Sequence, residues 1–144
     1  MRPSKLKQMW KENKPVTLGW ISMANSFSTE VMARQGFDAL CIDLQHGATG
    51  MSDLLPMLQA VSQTDATPVV RVGWNDTATI MKALDLGAYA IIVPLVNTAE
   101  DAAKAVAACR YPPTGCALPA RCARSNTAGP TTSRMPIPRS SSWR

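Results

Sequence analysis

Along the first 110 residues, short β-branched runs recur between longer stretches whose apolar positions fall three or four apart. The first pattern is that of a buried parallel strand and the second that of an amphipathic helix. Residues 17–22 read as a strand, and 28–35 as a helix that Gly36 can end in the left-handed conformation. A second strand covers 39–43, and a helix begins near Ser52 with Leu54, Leu55, Leu58 and Val61 on one face. Pro56 is compatible with that helix in or near its first turn. The third strand is 68–71, followed by a helix capped by Asp76 or Thr77 and closed by Gly87. The fourth is 90–94, and Asn97 with Glu100 resembles a capping box for a helix reaching about Arg110. Strands alternating with helices through short loops predict an α/β fold with a parallel sheet. The Gly87–Pro94 stretch is typical of a barrel repeat, which favours a (β/α) barrel wall over a doubly wound sheet. No glycine-rich phosphate loop follows the first strand, which counts against a nucleotide fold.

Polar residues gather where the apolar runs stop. Asp43 and Arg71 end the second and third strands, His46 follows three residues after Asp43, and Asp85 precedes the fourth strand. The C-terminal tips of parallel strands are where barrel enzymes carry their chemistry. A base, a cation and two carboxylates make an enzyme the leading expectation. His46, the only histidine, is the one side chain whose ordinary pKa of about 6.5 suits proton transfer near neutrality. Each residue also has a structural reading: His46 as a satisfied loop side chain, Arg71 as a rim ion pair, Asp85 as a helix-end residue. Trp20 and Trp74 read first as packing residues at strand ends facing the pocket. Met23, Met32, Met51, Met57 and Met81 read as core filler.

A chain of 144 residues with 46% hydrophobic and 17% charged residues suits one globular domain. No apolar stretch approaches the roughly 20 residues of a membrane helix, and no signal-peptide pattern opens the chain. Cys41 lies inside an apolar strand, where a reduced thiol is expected, so a cytoplasmic location follows. The net charge of +5 is confined to one region: residues 1–116 hold ten basic and ten acidic side chains, while 117–144 hold five arginines and no acid. Without aromatic interleaving or helical spacing, that tail argues against nucleic-acid binding. It also holds four of the 11 prolines, and it reads as an irregular, disordered segment after a domain at 1–116. A shifted reading frame from the junction of Ala128 and Gly129 permits Gly-Pro-Asp-Tyr-Phe-Ala-Asp-Ala-Asn, then two small residues, then Ile-Ile-Ile-Val-Ala. A frameshift after Cys116 would therefore account for its composition.

The segments Gly19-Trp20, Glu30-x-x-Ala33-x-x-Gly36-Phe37-Asp38, Ile42-Asp43-x-x-His46-Gly47, Val70-Arg71, Leu84-Asp85-x-Gly87-Ala88, Val93-Pro94-x-Val96 and Tyr111-Pro112-Pro113-x-Gly115 carry a specific likeness. From about Gly19 to Cys116 the chain resembles the metal-dependent aldolases of 2-keto-3-deoxy sugar acids and 4-hydroxy-2-oxoheptanedioate, grouped with the citrate lyase barrels. The resemblance implies the N-terminal half of a (β/α)8 TIM barrel, about four β/α units, from a family of hexamers. It implies retro-aldol cleavage of a 4-hydroxy-2-oxo acid into an oxo acid and an aldehyde. By position, His46 matches the general base and Asp85 the carboxylate that orients it. Arg71 matches the arginine that holds the oxo acid and its enolate, and Asp43 a pocket carboxylate that orders metal-bound water and the base. Trp20 joins Arg71 in the substrate pocket, and Gln45 stands where many members have Glu. The divalent metal (Mg, Mn or Co) is held in the family by a Glu and an Asp of the fifth and sixth strands, outside this sequence. No metal ligand is therefore assigned here, and the chain as written is expected to be inactive. A non-catalytic remnant and a ligand-binding half-barrel are the alternatives. Lys82 and Lys104 fall on helices, which disfavours a Schiff base.

Overall fold

The computed structural model describes residues 5–111 and 115. Nine elements follow in order: α1 (Lys5–Lys11), β1 (Leu18–Ile21), α2 (Ser26–Ala33), β2 (Ala39–Asp43), α3 (Met51–Ser62), β3 (Thr67–Arg71), α4 (Thr77–Asp85), β4 (Ala90–Ile92) and α5 (Ala99–Ala108). The four strands are parallel and lie in the order β1-β2-β3-β4. A doubly wound sheet reverses direction at a switch point, whereas strictly sequential neighbours curl one way, as in a barrel wall. The architecture is four β/α units of a partial barrel, as the apolar pattern predicts. The tail at 117–144 and Cys116 and Cys122 lie outside the described residues.

Period-two alternation sorts each strand onto two faces. Leu40, Ile42, Val70 and Val72 point to the helices and join Leu54, Met57, Leu58, Val61, Ile80 and Ala83 in the main core. Ala39, Cys41 and Val69 point to the other, inner face, where Leu6 of α1 packs over them and Ala90 and Ile92 flank them. Burial raises the Cys41 thiol to about 11, in keeping with the reduced core thiol expected there. On β1 the same alternation buries Gly19 and Ile21 and leaves Leu18 and Trp20 partly open. Gly19 is needed because a Cβ there would run into Leu40 and lie 3.0 Å from Met32 Cε.

The helix starts differ from expectation by one or two residues, because neighbouring polar residues compete to cap. Asn25 caps α2, accepting from Ser28 N, so the helix begins at Ser26 rather than near Ser28. Gly50, not Ser52, precedes α3, and its N–H donates to Asp53 at 2.8 Å. That start puts Pro56 past the first turn, on an exposed side where solvent can satisfy the carbonyl it leaves unbonded. The capping box of α5 is Thr98 with Asp101, one residue on from Asn97 with Glu100. Asp76 caps α4 as expected, and Gly36 and Gly87 take the positive φ that closes α2 and α4. Met57 is buried and Met32 and Met51 pack on the core, but Met23 is 65% exposed and is not core filler.

Candidate functional site

Trp20, Asp43 and Arg71 occupy the inner face near the C-terminal ends of three adjacent strands. Register places Trp20 beside Cys41 and Asp43 beside Arg71. Arg71 donates Nε–H to Asp43 Oδ1 at 2.8 Å and an Nη2 N–H to Asp43 Oδ2, a two-pronged ion pair. The Trp20 indole N–H donates to Asp43 Oδ2 at 3.2 Å, and the Arg71 guanidinium carbon lies 4.8 Å from the Trp20 ring centroid. Asp43 Oδ1 also accepts from Gln45 N at 2.9 Å and His46 N at 3.3 Å. The carboxylate is 1% exposed and yet fully solvated by protein. Arg71 first, then the backbone and indole N–H groups, hold its pKa far below the usual carboxylate range against the opposing effect of burial. The same pair raises the pKa of Arg71.

These hydrogen bonds fold the segment after β2 back onto the strand tip, so His46 emerges on an exposed turn beside the ion pair. Gly47 is required for that turn. A Cβ there would lie 2.6 Å from the Asp43 carbonyl oxygen and 3.0 Å from Ser22 Cα, both backbone atoms. Ala48 N donates to Ser22 O at 2.7 Å, locking the turn to the segment after β1. Trp74 follows β3 on the same rim and is 62% exposed, so it does not pack.

Asp85 is a correction. It is the exposed last residue of α4, and that helix runs back toward the start of β4. Asp85 therefore lies at the N-terminal end of the sheet, opposite the cluster, and does not orient His46 within this chain. Proximity in sequence to a strand misled here, because the strand in question begins after Asp85 rather than ending at it. A further groove, of about 590 Å³, lies between α2 and α3, lined by Phe27, Glu30, Pro56 and Gln59, on the helical face away from this chemistry.

A divalent cation would need carboxylate oxygens with free lone pairs. Five N–H donors already converge on the two oxygens of Asp43. Among the described residues no group of three or more His, Cys, Asp or Glu side chains is arranged to hold a metal. The cluster thus does not fit a metal site; it can anchor an anion through Arg71, with His46 on the exposed turn whose backbone bonds Asp43. No helix of the described residues is long and apolar enough to cross a membrane.

Residues 17–133 match the family model of HpcH/HpaI aldolase/citrate lyase, a stretch that runs past the compositional boundary at 116. The 4-hydroxy-2-oxo-heptane-1,7-dioate aldolases of Salmonella dublin and Salmonella gallinarum are each 42% identical over 109 residues, 76% of this chain and 41% of theirs. A HpcH/HpaI aldolase/citrate lyase family protein from Burkholderia cenocepacia superposes with a TM-score of 0.77 at 32% identity, covering 82% of this chain and 49% of its own. Citrate synthase SbnG superposes with a TM-score of 0.72 at 32% identity, over 78% of this chain and 46% of that one. The chain spans less than half the length of these relatives. With the fold, the parallel order of its strands and the family match agreeing, the chain belongs to the HpcH/HpaI aldolase/citrate lyase family.

Proposed function

We propose that this chain carries the oxo-acid-binding and proton-transfer half of a carbon–carbon lyase. Its reaction is reversible retro-aldol cleavage of a 4-hydroxy-2-oxo acid, such as 2-dehydro-3-deoxyglucarate or 4-hydroxy-2-oxoheptanedioate, to pyruvate or a related oxo acid plus an aldehyde. The observation that carries this reading is the convergence of the Arg71 guanidinium and the His46 backbone N–H on the buried Asp43, which sets the residue bearing the imidazole next to the ion pair. Arg71 spends its Nε–H and one Nη2 N–H on Asp43, leaving Nη1 for the carboxylate or oxo group of the substrate. His46 takes the proton of the C4 hydroxyl. The O–H electrons become the aldehyde carbonyl, the C3–C4 bond breaks, and its electron pair forms an enolate whose oxygen Arg71 stabilises. Return of the proton to C3 completes pyruvate. Aldolases of this family generally use a divalent metal; Mg, Mn or Co would act as a Lewis acid on the oxo acid, held by residues other than those described. Asp43 serves as a positioning residue in this scheme, Trp20 stands against the Asp43–Arg71 pair, and a cytoplasmic homo-oligomer is the expected setting.

Titration of the purified chain with oxalate, an enolate mimic, tests the anchor: saturable binding is expected, weakened at least about tenfold by Arg71→Ala. Pyruvate release is expected when the chain is co-expressed with the C-terminal half of the Salmonella dublin aldolase and given a divalent metal, and His46→Ala should abolish it. A folded complex that binds oxalate without turnover would leave the ligand-binding half-barrel as the reading. Absence of oxalate binding by the folded chain would remove both.

A further inference from the structure

An arginine fully neutralised by one carboxylate is a poor anion receptor, so something must hold the pair in place while sharing the charge of Asp43. The donors to Asp43 from outside Arg71 are two backbone N–H groups and one side chain, Trp20. The indole makes two contacts of different kinds: its edge N–H reaches Asp43 Oδ2 at 3.2 Å and its ring lies under the Arg71 guanidinium at 4.8 Å. These bracket the ion pair from β1, the strand that contributes no other polar side chain to the cluster. The guanidinium is further fixed by its fork on Asp43, so the ring and the carboxylate define its plane from two directions.

We infer that Trp20 is a positioning residue rather than a substrate contact: it holds the Asp43–Arg71 pair with Nη1 of Arg71 turned outward, as an anion anchor for the 2-oxo acid. This deepens the proposed lyase reading and rests on it for the identity of the ligand, though not for the contact itself. The indole N–H is already given to Asp43 and the guanidinium lies over the ring, so both specific contacts of Trp20 go to the ion pair. Trp20 is 40% exposed as a whole residue, on the strand at the edge of the sheet.

The test uses the whole chain and two readouts. The Arg71 Nε–H resonance, assigned by its absence in Arg71→Lys, reports the ion pair directly; oxalate titration reports the anchor. Trp20→Leu should move or broaden that resonance through exchange and raise the oxalate Kd about tenfold, the scale of one lost hydrogen bond and one cation–π contact. Trp20→Phe keeps the ring and loses the N–H, so it should shift the resonance less than Trp20→Leu does and weaken oxalate binding only about threefold. Trp20→Leu with both readouts unchanged overturns the inference. If Trp20→Leu does not fold, Trp20→Phe decides: a shifted resonance with an affinity loss of about threefold supports the role of the N–H, and wild-type values in both overturn it. If the wild-type chain binds no oxalate while the resonance still depends on Trp20, the positioning role stands and the lyase reading fails.

Discussion

Asp43 links an ion pair to a backbone turn, and that coupling sets what single substitutions do. Asp43→Asn removes the charge that Arg71 faces and one acceptor used by the indole and the Arg71 fork. A buried pair broken on one side costs more than the pair contributes, because the remaining charge stays in place. We expect a lowered melting temperature and loss of oxalate binding together, by calorimetry and titration on the same sample. Gly47→Ala separates the two effects. Its Cβ would collide with the Asp43 carbonyl and Ser22, so the turn bearing His46 must shift while the Arg71 pair stays. The expected result is near-unchanged oxalate affinity with pyruvate release in the complemented enzyme reduced at least about tenfold. Equal losses in binding and turnover would show that turn and anchor move as one. The positions of Asp43 and Arg71 were legible because a polar residue ending a β-branched run can face only the inner side or the helices. The role of Asp43 as a shared acceptor was not, since it depends on which strands become neighbours. Asp85 shows the reverse: its motif match is good, but a helix end and a strand tip look alike when Gly87 follows.

Among the elements, α1 is the one the hydrophobic pattern does not announce. It spans seven residues and buries only Leu6, so there is no periodicity to read. What fixes it is tertiary: Leu6 seats on Ala39, Cys41 and Val69, and Lys5 Nζ lies 3.1 Å from Asp38 Oδ1. Asp38 also accepts from Thr17 N at 2.9 Å and from Thr17 Oγ1 at 2.8 Å, tying the entry of β1 to that of β2. These bonds, led by those from Thr17, lower the Asp38 pKa from 3.8 to about 2. A folded-state pKa below the unfolded one gives stability that is present above pH 3.8 and is lost as the pH falls through about 2. Thermal melts should therefore fall more steeply between those pH values in the wild type than in Asp38→Asn, which starts lower at neutral pH. Parallel slopes in the two proteins would refute the latch. The helices that were legible, α3 above all, carry buried residues at helical spacing. Leu58→Ala in α3 should cost about 3 kcal/mol by denaturant titration, as Leu58 is 1% exposed in the main core. The exact helix starts were not legible, because Asn25, Ser26 and Ser28 are all competent caps and local packing chooses among them.

At the scale of the whole molecule, the sheet is a curved wall with two free rims. Among the described residues β1 pairs only with β2 and β4 only with β3, so the outer backbone groups of both strands lack sheet partners. Apolar side chains flank the β1 rim on the inner face: Leu18 is 41% and Trp20 40% exposed. A parallel strand edge of this kind is a template for another strand, and charged side chains are the usual protection. Neither β1 (LGWI) nor β4 (AII) carries a charge. The chain as written should therefore self-associate through these rims, giving dimers or larger species by light scattering in a concentration-dependent way. Leu18→Lys places a charge on the β1 rim without touching the Asp43–Arg71 pair and should shift the distribution toward monomer. The same substitution should leave the Arg71 Nε–H resonance in place, which distinguishes a blocked edge from a damaged fold. Polypeptide supplying the remaining wall should compete for the rims, so association should also fall when the chain is co-expressed with the C-terminal half of a family relative. A wild-type chain that stays monomeric across the concentration range would show that the rims are covered by residues other than those described.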